Sequence, residues 1–334
     1  MARAPLETSV DPVGTRRWPA VAAKSRNHAN HANHVNRANR AGRAGLRTRS
    51  WVGWLFVLPA LVAYAAVVLR SIFLTFEYSL YRWDGIGPST WVGLGNYSKV
   101  FTDPDLLGAI ANAFKLIAFF SAIPVVLGLA IASTIRRIAT SRLALAARTV
   151  LFLPQVIPLV AAGITWSWLL ASTGLVNQLL SHVGLGHVSH AWLGDVGTAL
   201  PAVGVIGAWV LLGLCTLLFL AGMSKINPEL FEAARIDGAG PLREFVSITM
   251  PSLRQEIGVC VTVTVIAALA SFDIIYISTQ GGPGNATMVP GLEIYYLAFS
   301  ERQVGVASAL AVVLMLLVIV CVLPLQWLTK EESS

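Results

Sequence analysis

The chain has 334 residues, 55% of them apolar and only 12% charged, and its mean hydropathy is +0.68. Soluble domains carry roughly 25% charged residues and disordered chains are polar and charge-rich, so both classes are excluded and an integral membrane protein remains. The net charge of +7 sits at one end: residues 1–50 hold ten Lys/Arg and two acids, residues 51–334 fourteen and fifteen.

A basic tail ahead of the first apolar span belongs in the cytoplasm by the positive-inside rule. No aromatic-interleaved basic module accompanies it, so nucleic acid is not an expected partner. Within this tail Asn27 to Ala44 repeats every three residues, starting Asn-His-Ala. Such low complexity has no apolar face to bury, and residues 1–50 read as a disordered cytoplasmic tail. His28, His31 and His34 could bind a metal, but a polar expansion without a role is the plainer reading. No short apolar core with a cleavage site follows the early charges, so this is not a signal peptide.

From Trp51 onward six apolar stretches appear: Trp51–Leu69, Leu116–Ile135, about 149–171, Val196–Ser224, Ile257–Phe272 and Gln303–Thr329. A helix needs about 20 mostly apolar residues to cross a bilayer. The fifth run reaches that length only if Asp273 lies within or at the edge of the span. The intervening charges alternate. Arg82 and Lys99 after span one stand against Asp84, Asp103 and Asp105, whereas Arg136, Arg137, Arg142 and Arg148 after span two have no acid among them. No Lys or Arg follows span three; Lys225, Arg235, Arg243 and Arg254 follow span four, and Arg302 alone precedes span six. The predicted fold is therefore an all-α integral membrane protein, a six-span helical bundle with both termini cytoplasmic. Residues 51–330 form the spanning domain, and 331–334 a short C-terminal tail.

Pro59, Pro124, Pro154, Pro158 and Pro201 fall inside spans. Proline frees a carbonyl and kinks a helix, which lipid tolerates where neighbours or a wet cavity satisfy it. Kinks in several spans suggest helices that surround a path. Cys215, Cys260 and Cys321 lie in apolar runs without Cys-x-x-Cys spacing and read as packing residues.

The loop between spans four and five is the most informative segment. Asn227 is an N-cap, Pro228 suits the first helical position, and Glu229 favours the positive end of the dipole. A helix is predicted over Pro228–Asp237, stopped by Gly238. A second helix begins at Gly240-Pro241, carries Leu242, Phe245, Val246 and Thr249 on one face, and is interrupted by Pro251. Two such short amphipathic helices need a surface to dock on, either the membrane interface or a groove in a partner.

Glu232-Ala233-Ala234, then Gly238, then Ile248 and Met250-Pro251 resemble the EAA motif of ABC importer permeases; Asp237-Gly238-Ala239 matches its fuller form, and Met250 departs mildly from the usual leucine. Val92-Gly-Leu-Gly-Asn-Tyr97, Leu153-Pro154 with Gly174-Leu-Val-Asn177, and Phe272-Asp273 through Tyr276 to Thr279-Gln-Gly-Gly-Pro-Gly284 are similar to the carbohydrate-uptake branch of that family. The resemblance covers about residues 51–330. It implies that Glu232–Gly238 is a cytoplasmic coupling helix seated on an ATP-hydrolysing subunit. Glu232 would be the polar contact, Ala233 and Ala234 would allow close approach, Asp237 would belong to the same docking set, and Gly238 would turn the chain. It also implies a second permease in a heterodimer, two ATP-binding subunits, an extracytoplasmic solute-binding protein, and a bacterial-type inner membrane.

No catalytic signature is present. Gly281-Gly282-Pro283-Gly284 lacks the Lys-Ser/Thr of a phosphate loop, and neither His-Glu-x-x-His nor Gly-x-Ser-x-Gly occurs. His182, His187 and His190 share a loop at loose spacing and read as solvated side chains. The chain is expected to be no enzyme and to need no cofactor or metal. Ionisable groups at membrane depth are candidates for function. Asp273, with Tyr276, offers acceptors for hydroxyls and a ring for a sugar's C–H face, and Gln155 in span three joins them as a candidate for the substrate path. Lys115 and Glu77 read as snorkelling end residues. The rival function, a self-sufficient ion-coupled transporter, predicts paired ionisable residues at mid-membrane and a repeated half; neither is evident.

Overall fold

A computed structural model describes residues 50–138 and 141–329. The N-terminal tail, its histidines and the last residues lie outside the described residues. The chain divides into two compact units, Met1–Leu69 and Arg70–Ser334.

In the first unit, α1 (Ser50–Tyr64) carries Pro59 and continues into a π turn over Ala65–Leu69. Every side chain from Trp54 to Leu69 is exposed, as suits a helix that is apolar all round.

In the second unit, α2 (Arg70–Ser79) leads into a short hairpin of β1 (Tyr81–Arg82) and β2 (Thr90–Trp91), antiparallel, with Tyr81 opposite Trp91. Helix α3 (Gly95–Thr102) follows. Asp103 then caps α4 (Pro104–Ile117), its carboxylate accepting from the Asp105 N–H at 3.0 Å. A π turn over Ala118–Ala122 joins α4 to α5 (Ile123–Arg137) without a break. Next come α6 (Arg142–Val156), α7 (Leu159–Leu169), α8 (Leu175–His182) and the long α9 (Ala199–Met223). Beyond α9 lie α10 (Pro228–Ile236), α11 (Pro241–Glu244), a π turn over Phe245–Thr249 and α12 (Met250–Ser252). The chain finishes with α13 (Arg254–Leu269), α14 (Asp273–Ser278), α15 (Pro290–Tyr295) and α16 (Val304–Thr329).

Among the described residues four helices are long and apolar enough to cross a membrane: Trp54–Ser79, Pro104–Arg137, Ala199–Met223 and Val304–Trp327. Two bent pairs raise the number to six if each is one span: Arg142–Val156 with Leu159–Leu169 at 101°, and Pro241–Ser252 with Arg254–Leu269 at 72°.

The third apolar run bends where its prolines predict a kink; two other expectations, on the fifth run and on Pro251, are corrected. Pro158 forces Ile157 into an extended conformation (φ −74°, ψ 128°), and the helix ends there. The fifth run is helical only to Leu269, and Asp273 opens a separate short helix after a break at Ala270–Phe272. Pro251 does not interrupt its helix: the preceding turn widens over Phe245–Thr249 and the helix runs on to Ser252. Pro124 is absorbed in the same way by the π turn over Ala118–Ala122. In both cases the wide turn ends two residues before the ring and makes room for it.

Small residues bring the helices of the core together, as membrane packing requires. At Gly213 on α9 an added Cβ would lie 2.1 Å from the Leu151 carbonyl oxygen of α6. The largest core cluster joins Leu116 and Phe120 to Val203 and Ile206 of α9 and to Ile275 and Leu292.

Candidate functional site

The loop predicted to be an elbow folds as local chemistry dictates. The Asn227 side chain accepts from the Glu229 N–H at 3.1 Å and starts α10. Gly238, at φ +76°, ends it: its N–H donates to the Arg235 carbonyl at 3.0 Å and that of Ala239 to the Ala234 carbonyl at 2.8 Å. This pair of bonds needs a left-handed residue between them, which is why glycine stands there.

The two faces of α10 differ. Glu232, Ala233, Ile236 and Asp237 are exposed, with Ala234 half-buried. On the other face Phe231 is buried, and the Arg136 guanidinium lies 3.8 Å above its ring. Beside it Glu244, also buried, receives the Arg235 Nε–H at 2.9 Å and lies 3.8 Å from the Arg137 guanidinium. Arg137 also donates to the Pro241 carbonyl at 3.4 Å. Phe231, Glu244 and the three arginines line a cavity of about 230 Å³, with Glu232 at its edge. The end of α5 thus holds both short helices, through the Glu244 carboxylate, the Phe231 ring and the Pro241 carbonyl.

The proposed path residues are arranged differently from the sequence expectation. Asp273 is exposed in the first turn of α14. Tyr276 stacks on Phe272 (5.2 Å between centroids, 13°) and meets Tyr295 edge-on at 5.4 Å. Tyr295 in turn contacts Tyr296 and Phe299, at 5.7 and 5.3 Å, which extends the aromatic group into the turn after α15. Gln155 sits on α6, beyond the 101° bend from α7, which packs on α14 through Gly163. Its Oε1 is buried and has no hydrogen-bond partner among the described residues. Tyr276 is therefore brought into an aromatic cluster, while no hydrogen bond joins Gln155 to Asp273 or Tyr276 among the described residues.

Comparison with known proteins decides the family. Residues 124–330 match the family described as binding-protein-dependent transport system inner membrane component. The chain belongs to that family. It is 35% identical to the probable ABC transporter permease YurN of Bacillus subtilis over 80% of this chain and 91% of that protein. It is also 35% identical to the diacetylchitobiose uptake permease NgcF of Streptomyces coelicolor, over 70% and 69% of the two chains. The fold matches that of a bacterial alginate ABC transporter crystallised with an alginate pentasaccharide-bound periplasmic protein: TM-score 0.71, 22% identity, 84% of this chain and 95% of that one.

The molecule is thus a multi-pass inner-membrane permease, a transport component, and the self-sufficient transporter is set aside. Some of the permease's groups escaped the sequence reading. Arg136 and Arg137 registered only as orientation charges, and Glu244 has no motif. Nothing in their spacing announces that they meet, because the elbow must fold first. Tyr295-Tyr296 carried a weak signal, an aromatic pair in an otherwise aliphatic stretch. The loop histidine His190 is engaged locally: its ring lies 4.1 Å from that of Trp192, tilted by 39°, and its Nε2 lies 3.2 Å from the Thr198 hydroxyl.

Proposed function

We propose that this permease forms the translocation path of an ABC importer for a sugar or related polyol. It crosses the membrane six times, with both ends in the cytoplasm, residues 51–330 as the spanning domain, and tails at 1–50 and 331–334. Counting each bent helix pair as one span and the alternation of loop charges both support this topology. The importer comprises a second, different permease, two ATP-binding subunits and an extracytoplasmic solute-binding protein. Carbohydrate specificity is supported by the diacetylchitobiose relative and the alginate-transporting neighbour.

The observation that carries the reading is the asymmetry of the elbow. Its inner face is gripped by α5, while Leu230, Ile236 and Leu242 are 51%, 86% and 76% exposed. Bare apolar side chains on two such short helices call for a docking groove. An ATP-binding subunit fills that role: Glu232 and Asp237 supply polar contacts, Ala233 and Ala234 let the surfaces close, and Gly238 sets the turn. Movement of that subunit would shift the elbow, and α5 would carry the shift into the bundle. The solute side must bind the two resulting states unequally for transport to follow. Asp273, Tyr276 and Gln155 are the groups we place on the path. An aromatic face and unsatisfied oxygens suit a polyol.

The test is a Glu232→Lys, Gly238→Asp double variant purified in mild detergent. It should insert normally and lose its ATP-binding subunits. Association at the wild-type level would overturn the docking role.

A further inference from the structure

The cavity behind α10 is not used by docking of the elbow's outer face. It lies between the end of α5 and the inner sides of α10 and of the turn after α11. Three guanidiniums line it, those of Arg136, Arg137 and Arg235. Only one carboxylate inside it answers them. Glu244 is buried and is shared by Arg235 at 2.9 Å and Arg137 at 3.8 Å. Glu232 stands exposed at the edge and makes no salt bridge among the described residues.

Arg136 is the least satisfied of the three. Its guanidinium lies 3.8 Å above the Phe231 ring, and it makes neither a salt bridge nor a side-chain hydrogen bond among the described residues. A ring face attracts the charge but is a weaker partner than an oxyanion, which takes the N–H donors in pairs. Thr249 is buried in the same wall, and its hydroxyl makes no hydrogen bond among the described residues. Three cations against one interior carboxylate leave two positive charges uncompensated. A phosphate monoester carries about 1.5 to 2 negative charges at neutral pH, with three acceptor oxygens, and matches that excess in both charge and geometry. The space equals about eight waters at about 30 Å³ each, room for a phosphate group with a few further atoms. Arg137 and Arg235 are about half exposed, so the cavity is open to water. The outward side of the elbow carries Glu229, Glu232 and Asp237, all exposed. A protein seated there meets acids first, and the arginines behind suit a small anion rather than that protein's own carboxylates.

We propose that this cavity binds a phosphate monoester, held by Arg136, Arg137, Arg235 and the Thr249 hydroxyl, and that the bound phosphate stiffens the elbow against α5. The arginines come from both sides of the joint, so one ligand ties the two together. The same chemistry is offered by a small dissolved phosphate ester and by the headgroup of phosphatidic acid.

The test is a footprint of the permease with its ATP-binding subunits in nanodiscs of phosphatidylcholine alone. Phenylglyoxal modifies arginines, and peptide mass spectrometry reads each residue of the permease separately, so phosphate held by the ATP-binding subunits does not enter. Inorganic phosphate at about ten times its dissociation constant should slow modification of Arg136 and Arg235 about tenfold by mass action. Arg142 and Arg243, outside the cavity, should react as before, and chloride at equal ionic strength should protect neither pair. Arg136→Gln should abolish the phosphate protection of Arg235, while Arg142→Gln, which removes the same charge elsewhere, should leave it intact. A second arm omits phosphate and adds phosphatidic acid to the nanodiscs. Protection by inorganic phosphate supports a dissolved ester as the ligand, and protection by phosphatidic acid alone supports the lipid headgroup. Equal reactivity in both arms overturns the site. So does protection that chloride reproduces, or protection of Arg235 that survives in Arg136→Gln.

Discussion

Glu244 is the charged centre of the elbow. It is one buried carboxylate facing two guanidiniums, those of Arg235 at 2.9 Å and Arg137 at 3.8 Å. The arginine side chains are 63% and 48% exposed, so water screens the pairs and their strength is modest. The carboxylate itself is desolvated, and removing its charge leaves the elbow's inner face held by the Phe231 ring under Arg136 and the Arg137–Pro241 hydrogen bond. Glu244→Gln should therefore lower stability by only about 1–2 kcal/mol yet loosen α10 from α5. Thermal unfolding in detergent measures the first effect. Limited trypsin cleavage after Arg235 and Arg243 measures the second and should quicken in the variant while Glu244→Asp stays near wild type. Unchanged cleavage would show that those two contacts suffice to hold the elbow.

At the scale of elements, prolines and glycines divide the labour. Pro124 and Pro251 are each preceded by a π turn and leave their helices continuous, whereas Pro158 ends one. The difference is in how the ring is met: before Pro124 and Pro251 the turn widens to admit it, whereas Pro158 drives Ile157 out of the helical region and stops the helix. Gly213 does the opposite work, letting α9 lie against the backbone of α6. Gly213→Ala would drive a methyl into the Leu151 carbonyl, an atom that cannot swing aside. A loss of about 1–3 kcal/mol is expected, as for other overpacked cores, read as a lower unfolding temperature of the purified protein. Gly108→Ala, with nothing within 4 Å of the new methyl, is the control and should stabilise slightly.

The whole molecule was legible in the sequence to the extent that its signals were local. Apolar runs marked where the four long apolar helices and the two bent pairs lie, and Asn227, Pro228 and Gly238 fixed the elbow's first helix to within a residue. Long-range groupings were not legible. The Glu244 cluster draws on helices far apart in the chain. The placement of Asp273 failed for a different reason: apolar residues continue past Leu269, so hydropathy could not mark where the helix stops. Orientation itself is open to direct test. With Cys321 replaced, and Cys215 and Cys260 already buried, a cysteine at Ile86 should react with a membrane-impermeant maleimide on intact cells. One at Ala233 should react only after permeabilisation. The reverse pattern would invert the topology.

The continuous helix from Pro104 to Arg137 has a mechanical consequence. At 34 residues and about 1.5 Å per residue it is roughly 50 Å long, well beyond a hydrocarbon thickness of about 30 Å. Toward one end Asn112 donates to the Met288 carbonyl at 3.0 Å, and at the other Arg136 and Arg137 clasp the elbow. A single rod therefore contacts the Met288 segment near one end and the elbow at the other, and a push on one is felt at the other with only the wide turn at Ala118–Ala122 to give slack.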